Sequence, residues 1–126
     1  MGDRKFYDLM NDNPFFVFAS AAYTNNFNVI SAQSNMVAIN SCIEIDLAGQ
    51  IVSDTIGKNF YSGFGGQTDF INAAAQSADN KGKAIITMSS QTKGKSKIVP
   101  CIKEGAGVVT TRAHTRYVVT EYELMN

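Results

Sequence analysis

An α/β domain dominated by strands, with few helices, is the fold class that this sequence predicts, and three observations carry it. Short β-branched and apolar runs recur along the chain, as in MVAINSCIEID (36–46), KAIITM (83–88) and KIVPCI (97–102). Only one stretch, INAAAQSA (71–78), is rich in strong helix formers. That stretch lies between two strand runs, and a strand–helix–strand order predicts a crossover in a partly parallel sheet.

The elements follow in order. Phe6 to Val17 mixes aromatics with Asn and Asp and has no sustained period, which predicts a short helical turn leading into an irregular arm. Phe15, Phe16 and Phe18 are then expected to anchor that arm by packing. Asn28 to Ser31 is expected as a short strand, and Met36 to Asp46 as a longer one. Leu47-Ala-Gly-Gln50 supplies a turn in which Gly49 can take positive φ, so Ile51 to Ile56 should return antiparallel. A glycine-dense loop, Tyr61 to Phe70, precedes a helix over Ile71–Ala78 that Thr68 or Asp69 can cap. Strands are expected at Lys83–Met88, Lys97–Ile102, Gly107–Thr111 and Tyr117–Glu121.

Composition narrows the function. At 126 residues the chain is one domain, 1–126, able to bury roughly two thirds of its unfolded surface. Hydrophobic residues are 44% and charged residues 17%, and 11 basic side chains balance 11 acidic ones. That argues against disorder and against the charge field a nucleic-acid partner needs. Apolar runs stop well short of the ~18 residues of a membrane span, and the N-terminus lacks a signal-peptide core. Cys42 and Cys101 sit in Val/Ile-rich stretches without metal-ligand spacing, which predicts reduced core thiols and a cytoplasmic location.

The motifs leave alternatives open. Gly63-Phe-Gly65-Gly66-Gln67 before a helix lets backbone N–H groups approach a phosphate or the oxyanion of an attacked carbonyl, but a tight turn needs glycines too. A dinucleotide fingerprint is disfavoured, because Thr68 stands where the third glycine belongs. The run Ser89 to Ser96 ends in Gly-Lys-Ser yet lacks the first glycine of a phosphate-binding P-loop and leads into a strand. Lys93 can still touch an anionic ligand from that loop. Glu44 and Asp46 share a strand face, as acid–base pairs or as satisfied structural carboxylates. His114, the single histidine, has neither a nucleophile motif nor metal-spaced ligands around it. Asn25 and Asn26 either shape a turn or turn an amide toward a ligand.

Read together, Tyr23-Thr-Asn-Asn26, Met36-Val-Ala-Ile-Asn-Ser41, Ile43-Glu-Ile-Asp-Leu-Ala-Gly-Gln50, Ser62-Gly-Phe-Gly-Gly-Gln-Thr-Asp-Phe70, Gly105-Ala-Gly-Val-Val-Thr-Thr-Arg112 and Tyr117-Val-Val-Thr-Glu-Tyr122 carry a family resemblance. From about Phe6 to Tyr122 the chain resembles the C-terminal domain of the acetyl-CoA hydrolase/transferase family, and most of all its 4-hydroxybutyrate CoA-transferase branch. The resemblance implies a CoA-transferase-like mixed sheet. It implies an enzyme that moves coenzyme A between an acyl-CoA and a small carboxylic acid through a glutamyl-CoA thioester, with no metal. On that basis Gly65 and Gly66 would supply oxyanion-stabilising N–H groups and Asn25 a second donor. Gly63 and Gln67 of the glycine loop, and Lys93 of the basic loop, are expected to bind substrate.

The resemblance also marks departures. The family's nucleophilic glutamate lies upstream of the matching region, so the N-terminal catalytic half is expected to be absent and Glu44 is not that nucleophile. Family members carry an arginine-glycine pair where Ile71-Asn72 stands, and a glycine after Thr-Glu-Tyr where Glu123 stands. His114, Thr115 and Arg116 differ from the family's usual run. The expected protein is therefore a transferase domain that needs the missing half or a partner chain, or an acyl-CoA-binding or partner-binding domain without turnover. An exposed apolar face and self-association are expected in either case.

Overall fold

The computed structural model describes residues 2–126. Near the N-terminus come α1 (Arg4–Met10), α2 (Ala21–Thr24) and α3 (Phe27–Ser31), then β1 (Val37–Ser41), β2 (Glu44–Asp46), β3 (Ile51–Val52), β4 (Thr55–Ile56) and β5 (Asn59–Phe60). They are followed by α4 (Gln67–Ala75), β6 (Lys83–Thr87), β7 (Gln91–Thr92), β8 (Lys95–Ser96), β9 (Ile98–Val99), β10 (Tyr117–Val119) and β11 (Leu124–Met125). The fold is mixed α/β, strand-rich and poor in helix, as the sequence predicts.

The central sheet has the order β1-β6-β10-β11, with β1, β6 and β10 parallel and β11 antiparallel. Its strand–helix–strand unit runs β1, α4, β6, and α4 packs on both strands. Ala38, Ala84, Ile86 and Val118 of the sheet meet Ile71 and Ala74 of α4 in the core. A second sheet, β3-β2-β9, joins that core through Ile45 and Ile51. The run 36–46 is thus two strands in two sheets rather than one. Buried Cys42 stands at the break, its sulfur 3.2 Å from that of Met88.

Several expectations need correction. Asn28–Ser31 lies in helix α3, not a strand: the Asn26 side chain caps the first turn by accepting from the Asn28 N–H, and Ile30 and Ser31 are buried. Tertiary burial against α4 overrides the β-branched preference of Val29 and Ile30. Phe16 packs edge-on against Phe6, but Phe15 and Phe18 are 93% and 77% exposed and anchor nothing within the chain. Helix α4 begins at Gln67 with Gly66 as its cap residue, and no side chain caps it. Thr68 instead donates to the Val109 carbonyl, and Asp69 accepts from Asn25. The strand expected at Lys97–Ile102 is only Ile98–Val99, since Pro100 offers no N–H. Gly107–Thr111 shrinks to a bridge between Thr110 and Ile51. Both cysteines are free, but Cys101 is exposed and only Cys42 is a core thiol. Burial pushes the Cys42 thiol up to about 11, and nearby Lys97 offsets part of that rise.

The hairpin turn forms as expected, with Gly49 at φ +85°, but of the expected return Ile51–Ile56 only Ile51–Val52 pairs with β2; Thr55–Ile56 pairs instead with Asn59–Phe60 in a sheet of its own. Asp46 organises its turn by accepting from the N–H groups of Ala48 and Gln50 and from the Gln50 side chain. Burial alone would raise the Asp46 carboxyl, but these donors outweigh it and hold the group below the usual carboxylate range.

The tightest joint lies between α4 and β6. Any Cβ at Gly82 would sit 2.1 Å from the Ala74 carbonyl oxygen and 2.6 Å from the Ser77 hydroxyl, which itself accepts from the Gly82 N–H. Gly82→Ala is expected to destabilise the chain by about 1–3 kcal/mol, read from urea unfolding midpoints at unchanged slope. A neutral substitution would show that the helix-to-strand joint is looser than described.

Candidate functional site

The glycine loop is held at its base by one residue: the N–H groups of Tyr61 and Ser62 donate to the Asp54 carbonyl at 2.8 and 3.4 Å. Gly65 then adopts φ +58°, a conformation that L side chains rarely take, and turns the chain into α4. A side chain at Gly63 or Gly65 would meet no atom within 4 Å, so both glycines face open space. Gly66 is different, because a Cβ there would lie 2.6 Å from Asn25 Nδ2. The amide of Asn25 therefore rests directly against the backbone at the start of α4.

Asn25 reaches this point as the C-cap of α2, just before α3 packs on α4. Its Nδ2 donates to Asp69 Oδ2 at 3.0 Å, and its Oδ1 accepts from the Thr24 hydroxyl at 3.0 Å. One N–H of the Asn25 amide is left for a ligand. The first-turn N–H groups of α4 also lack partners inside the helix. Asn25, Gly65 and Gly66 are thus brought together, at the positive end of a nine-residue helix.

The other candidate residues fall elsewhere or play other parts. The Gln67 side chain turns inward and donates to Thr110 Oγ1 at 3.1 Å, leaving only its backbone N–H for a ligand. Lys93 is exposed at the tip of the β7–β8 hairpin, where Lys93 and Gly94 both have positive φ. It lines a separate cavity of about 520 Å³ with Glu44, Lys95, Lys97 and Lys103, and no glycine-loop residue borders that cavity.

Glu44 and Asp46 prove to be structural. Glu44 is buried, and both its oxygens are taken by Lys103, through the backbone N–H at 2.8 Å and through Nζ. Asp46 spends its oxygens on its own turn. His114 shares a 3.3 Å contact with Thr111. No three His, Cys, Asp or Glu side chains cluster as a metal site among the described residues, and none of the described helices is long and apolar enough to cross a membrane.

One residue of the site escapes a sequence reading. Asp54 is 6% exposed, and its Oδ1 is buried without a hydrogen-bond partner. It borders a cavity of about 250 Å³ together with Phe64 and Thr68, which flank Gly65 and Gly66. No local pattern distinguishes it from the turn-forming Asp of Ser53-Asp-Thr55.

Comparison with known proteins gives the family to which the chain belongs. Residues 2–126 match the model of the acetyl-CoA hydrolase/transferase C-terminal domain. The chain is 54% identical over 123 residues to the succinyl-CoA:acetate/propanoyl-CoA:succinate CoA transferase of Fasciola hepatica, covering 97% of this chain and 26% of that protein. It is 49% identical over 124 residues to the 4-hydroxybutyrate coenzyme A transferase of Clostridium kluyveri, covering 97% of this chain and 28% of the other. Among solved structures, RipA from Yersinia pestis superposes with a TM-score of 0.89 at 34% identity, over 100% of this chain and 28% of that one. A 4-hydroxybutyrate CoA-transferase from Porphyromonas gingivalis gives 0.76 at 35% identity, over 98% of this chain and 27% of that one. The chain spans about a quarter of the length of these curated relatives. It belongs to the acetyl-CoA hydrolase/transferase family, and what it comprises is that family's C-terminal domain.

Proposed function

We propose that this domain holds the thioester carbonyl of an acyl-CoA at the start of α4 while coenzyme A passes between that acyl group and a small carboxylic acid. The observation that carries the reading is the contact between the Asn25 amide and Gly66, next to the open glycines of the loop. In such a transfer a glutamate carboxylate attacks the acyl-CoA carbonyl, and the tetrahedral oxyanion collapses to an acyl-glutamyl anhydride and free CoA thiolate. The thiolate then attacks the glutamyl carbonyl, giving a glutamyl-CoA thioester and releasing the carboxylic acid. Each attack places negative charge on a carbonyl oxygen. Backbone N–H groups at Gly65 and Gly66 and the free N–H of Asn25 are donors of the kind that stabilise that charge, with the helix N-terminus behind them.

On this reading the nucleophilic glutamate comes from outside this chain; Glu44, buried under Lys103, is unavailable for attack. An N-terminal half or a partner chain would supply it, and the outward apolar side chains are suited to such packing. Phe15, Val17 and Phe18 lie on the arm, and Val37 and Ile39 lie on the face of β1 opposite α4. Without that partner the same surface favours self-association. Sedimentation velocity over a concentration series is expected to show reversible dimers or larger species. A strictly monomeric chain at high concentration would contradict this. A cytoplasmic setting suits CoA chemistry and a chain with two free thiols.

A second reading, acyl-CoA binding without turnover, rests on the same geometry and needs no nucleophile. Both readings require that the chain hold CoA at the loop. Acetyl-CoA and CoA at millimolar concentration are therefore expected to raise the melting temperature, and Gly66→Val, whose Cβ meets the Asn25 amide, is expected to abolish the rise. No shift in the unsubstituted chain would overturn both readings for the isolated domain.

A further inference from the structure

A carboxylate clamp sits at the base of the lysine-bearing β7–β8 hairpin. Residues 91–96 of that hairpin are all exposed and its strands have two residues each, so its direction depends on what grips its two stems. The second stem is held by the second sheet, where the Lys97 carbonyl accepts from the Ile45 N–H at 2.9 Å. The first stem leaves the central sheet after Met88, whose N–H donates to the Val119 carbonyl at 3.0 Å. Beyond that point Glu121 grips it. Its Oε2 accepts from the Ser90 N–H at 2.7 Å and its Oε1 from the Ser90 hydroxyl at 2.6 Å, while the Ser90 carbonyl accepts from the Lys97 N–H at 2.8 Å and closes the hairpin base.

Glu121 is itself fixed. It stands in the turn between β10 and β11, where the Thr120 hydroxyl accepts from the N–H groups of Tyr122 and Glu123, and the Thr120 N–H donates to the Glu123 carbonyl. The Ser90 hydroxyl above all holds the Glu121 carboxyl below the usual carboxylate range, so the clamp is ionised and charge-assisted at neutral pH. A two-pronged grip fixes the rotation of the Ser90 peptide, and with it the line along which the hairpin leaves the sheet.

The hairpin aims two uncommitted charges. Four lysines border the cavity of about 520 Å³, but Lys97 Nζ donates to the Cys42 carbonyl at 3.1 Å and Lys103 Nζ is spent on Glu44. Lys93 and Lys95 have no acidic partner among the described residues. By charge alone, a carboxylate at the root of this hairpin would lessen its attraction for an anion. Geometry accounts for its presence there instead.

We propose that Glu121 is a positioning residue for the anionic end of coenzyme A: by gripping Ser90 it holds the β7–β8 hairpin so that Lys93 and Lys95 meet the ligand's phosphates at this cavity. The assignment rests on the reading that the chain holds an acyl-CoA, with Lys93 touching its anionic part. The thioester stays at Gly65 and Gly66, since the phosphates lie at the far end of a long ligand.

Calorimetric titrations with CoA, and with pantetheine, which lacks the phosphates, test the assignment in the unsubstituted chain, Glu121→Ala, Glu121→Gln, Gly66→Val and a variant that joins Lys93→Ala to Lys95→Ala. Glu121→Ala is expected to weaken CoA about fivefold through lost preorganisation and to leave pantetheine unchanged, with little change in melting temperature. Loss of the charge alone would do the opposite and tighten CoA. Glu121→Gln, whose amide still accepts from the Ser90 N–H and can donate to its hydroxyl oxygen, is expected to stay within about twofold of the unsubstituted chain. The lysine variant is expected to lose CoA affinity as well, and adding Glu121→Ala to it to cost nothing further. If Glu121→Ala fails to fold, Ser90→Ala, which removes one prong at unchanged charge, is expected to weaken CoA and decides in its place. Undiminished or tighter CoA binding in Glu121→Ala, while the lysine variant loses it, overturns the assignment and leaves the lysine reading standing. Equal weakening of pantetheine, or losses that add to those of the lysine variant, overturn it too. Undiminished CoA affinity in the lysine variant overturns both the assignment and the lysine reading, and a loss in Gly66→Val then keeps the glycine-loop reading. A chain that binds neither ligand overturns all three.

Discussion

Everything at the candidate site depends on how closely α4 lies against the parallel pair β1 and β6. The helix presents compact residues there: Ile71 and Ala74 are fully buried in one cluster with Ala38, Ala84 and Ile86. Alanines on both sides allow an approach that larger side chains would prevent, and interiors packed this densely yield little. Gly82 closes the joint at the C-terminal end of α4, against the Ala74 carbonyl and the Ser77 hydroxyl. With that end pinned, the position of Gly66 at the other end is determined by the sheet rather than by the loop. The site's key backbone atoms thus ride on a rigid element.

The short helices complete the arrangement from the other side. Helix α3 packs on α4, and the corner between α2 and α3 delivers Asn25 to Gly66. Asp69 takes one N–H of the Asn25 amide and so fixes its plane. A carboxylate in the first turn of a helix is favourable in itself, so Asp69 serves the helix and orients the donor together. Charge is distributed unevenly around this point. Glu44 and Asp46 have their oxygens satisfied by hydrogen bonds that belong to the fold, whereas Asp54 Oδ1 is buried without a partner.

How much of this was legible in the residues depends on the range of the interaction responsible. The turn at Gly49 and the strand at Lys83 are local matters of turn chemistry and propensity and are found where expected, and a helix does follow the glycine loop, though over Gln67–Ala75 rather than Ile71–Ala78. The ordered motifs carried the family, and with it the pairing of Asn25 and Gly66. Helix α3 was hidden because Val29 and Ile30 favour strands, and only the surface of α4 decides otherwise. The early start of α4 was hidden because its cap is a bare glycine, while Thr68 and Asp69 bond to Val109 and Asn25, about forty residues away in sequence. Phe15 and Phe18 looked like core residues by type but face outward. Asp54 could not be singled out at all, since a missing partner is a property of the packed molecule and leaves no trace in residue order.

The central claim is that the start of α4 is where a CoA thioester docks. Backbone and side-chain amide NMR shifts during titration with CoA test it most directly, because every proposed donor is an N–H group. The account predicts that the largest shifts fall on the N–H groups of Gly65, Gly66 and Gln67 and on the Asn25 side-chain amide, with weaker effects at Thr68 and Gly107. Shifts confined to the lysine-rich β7–β8 hairpin, with the glycine loop unmoved, would contradict it.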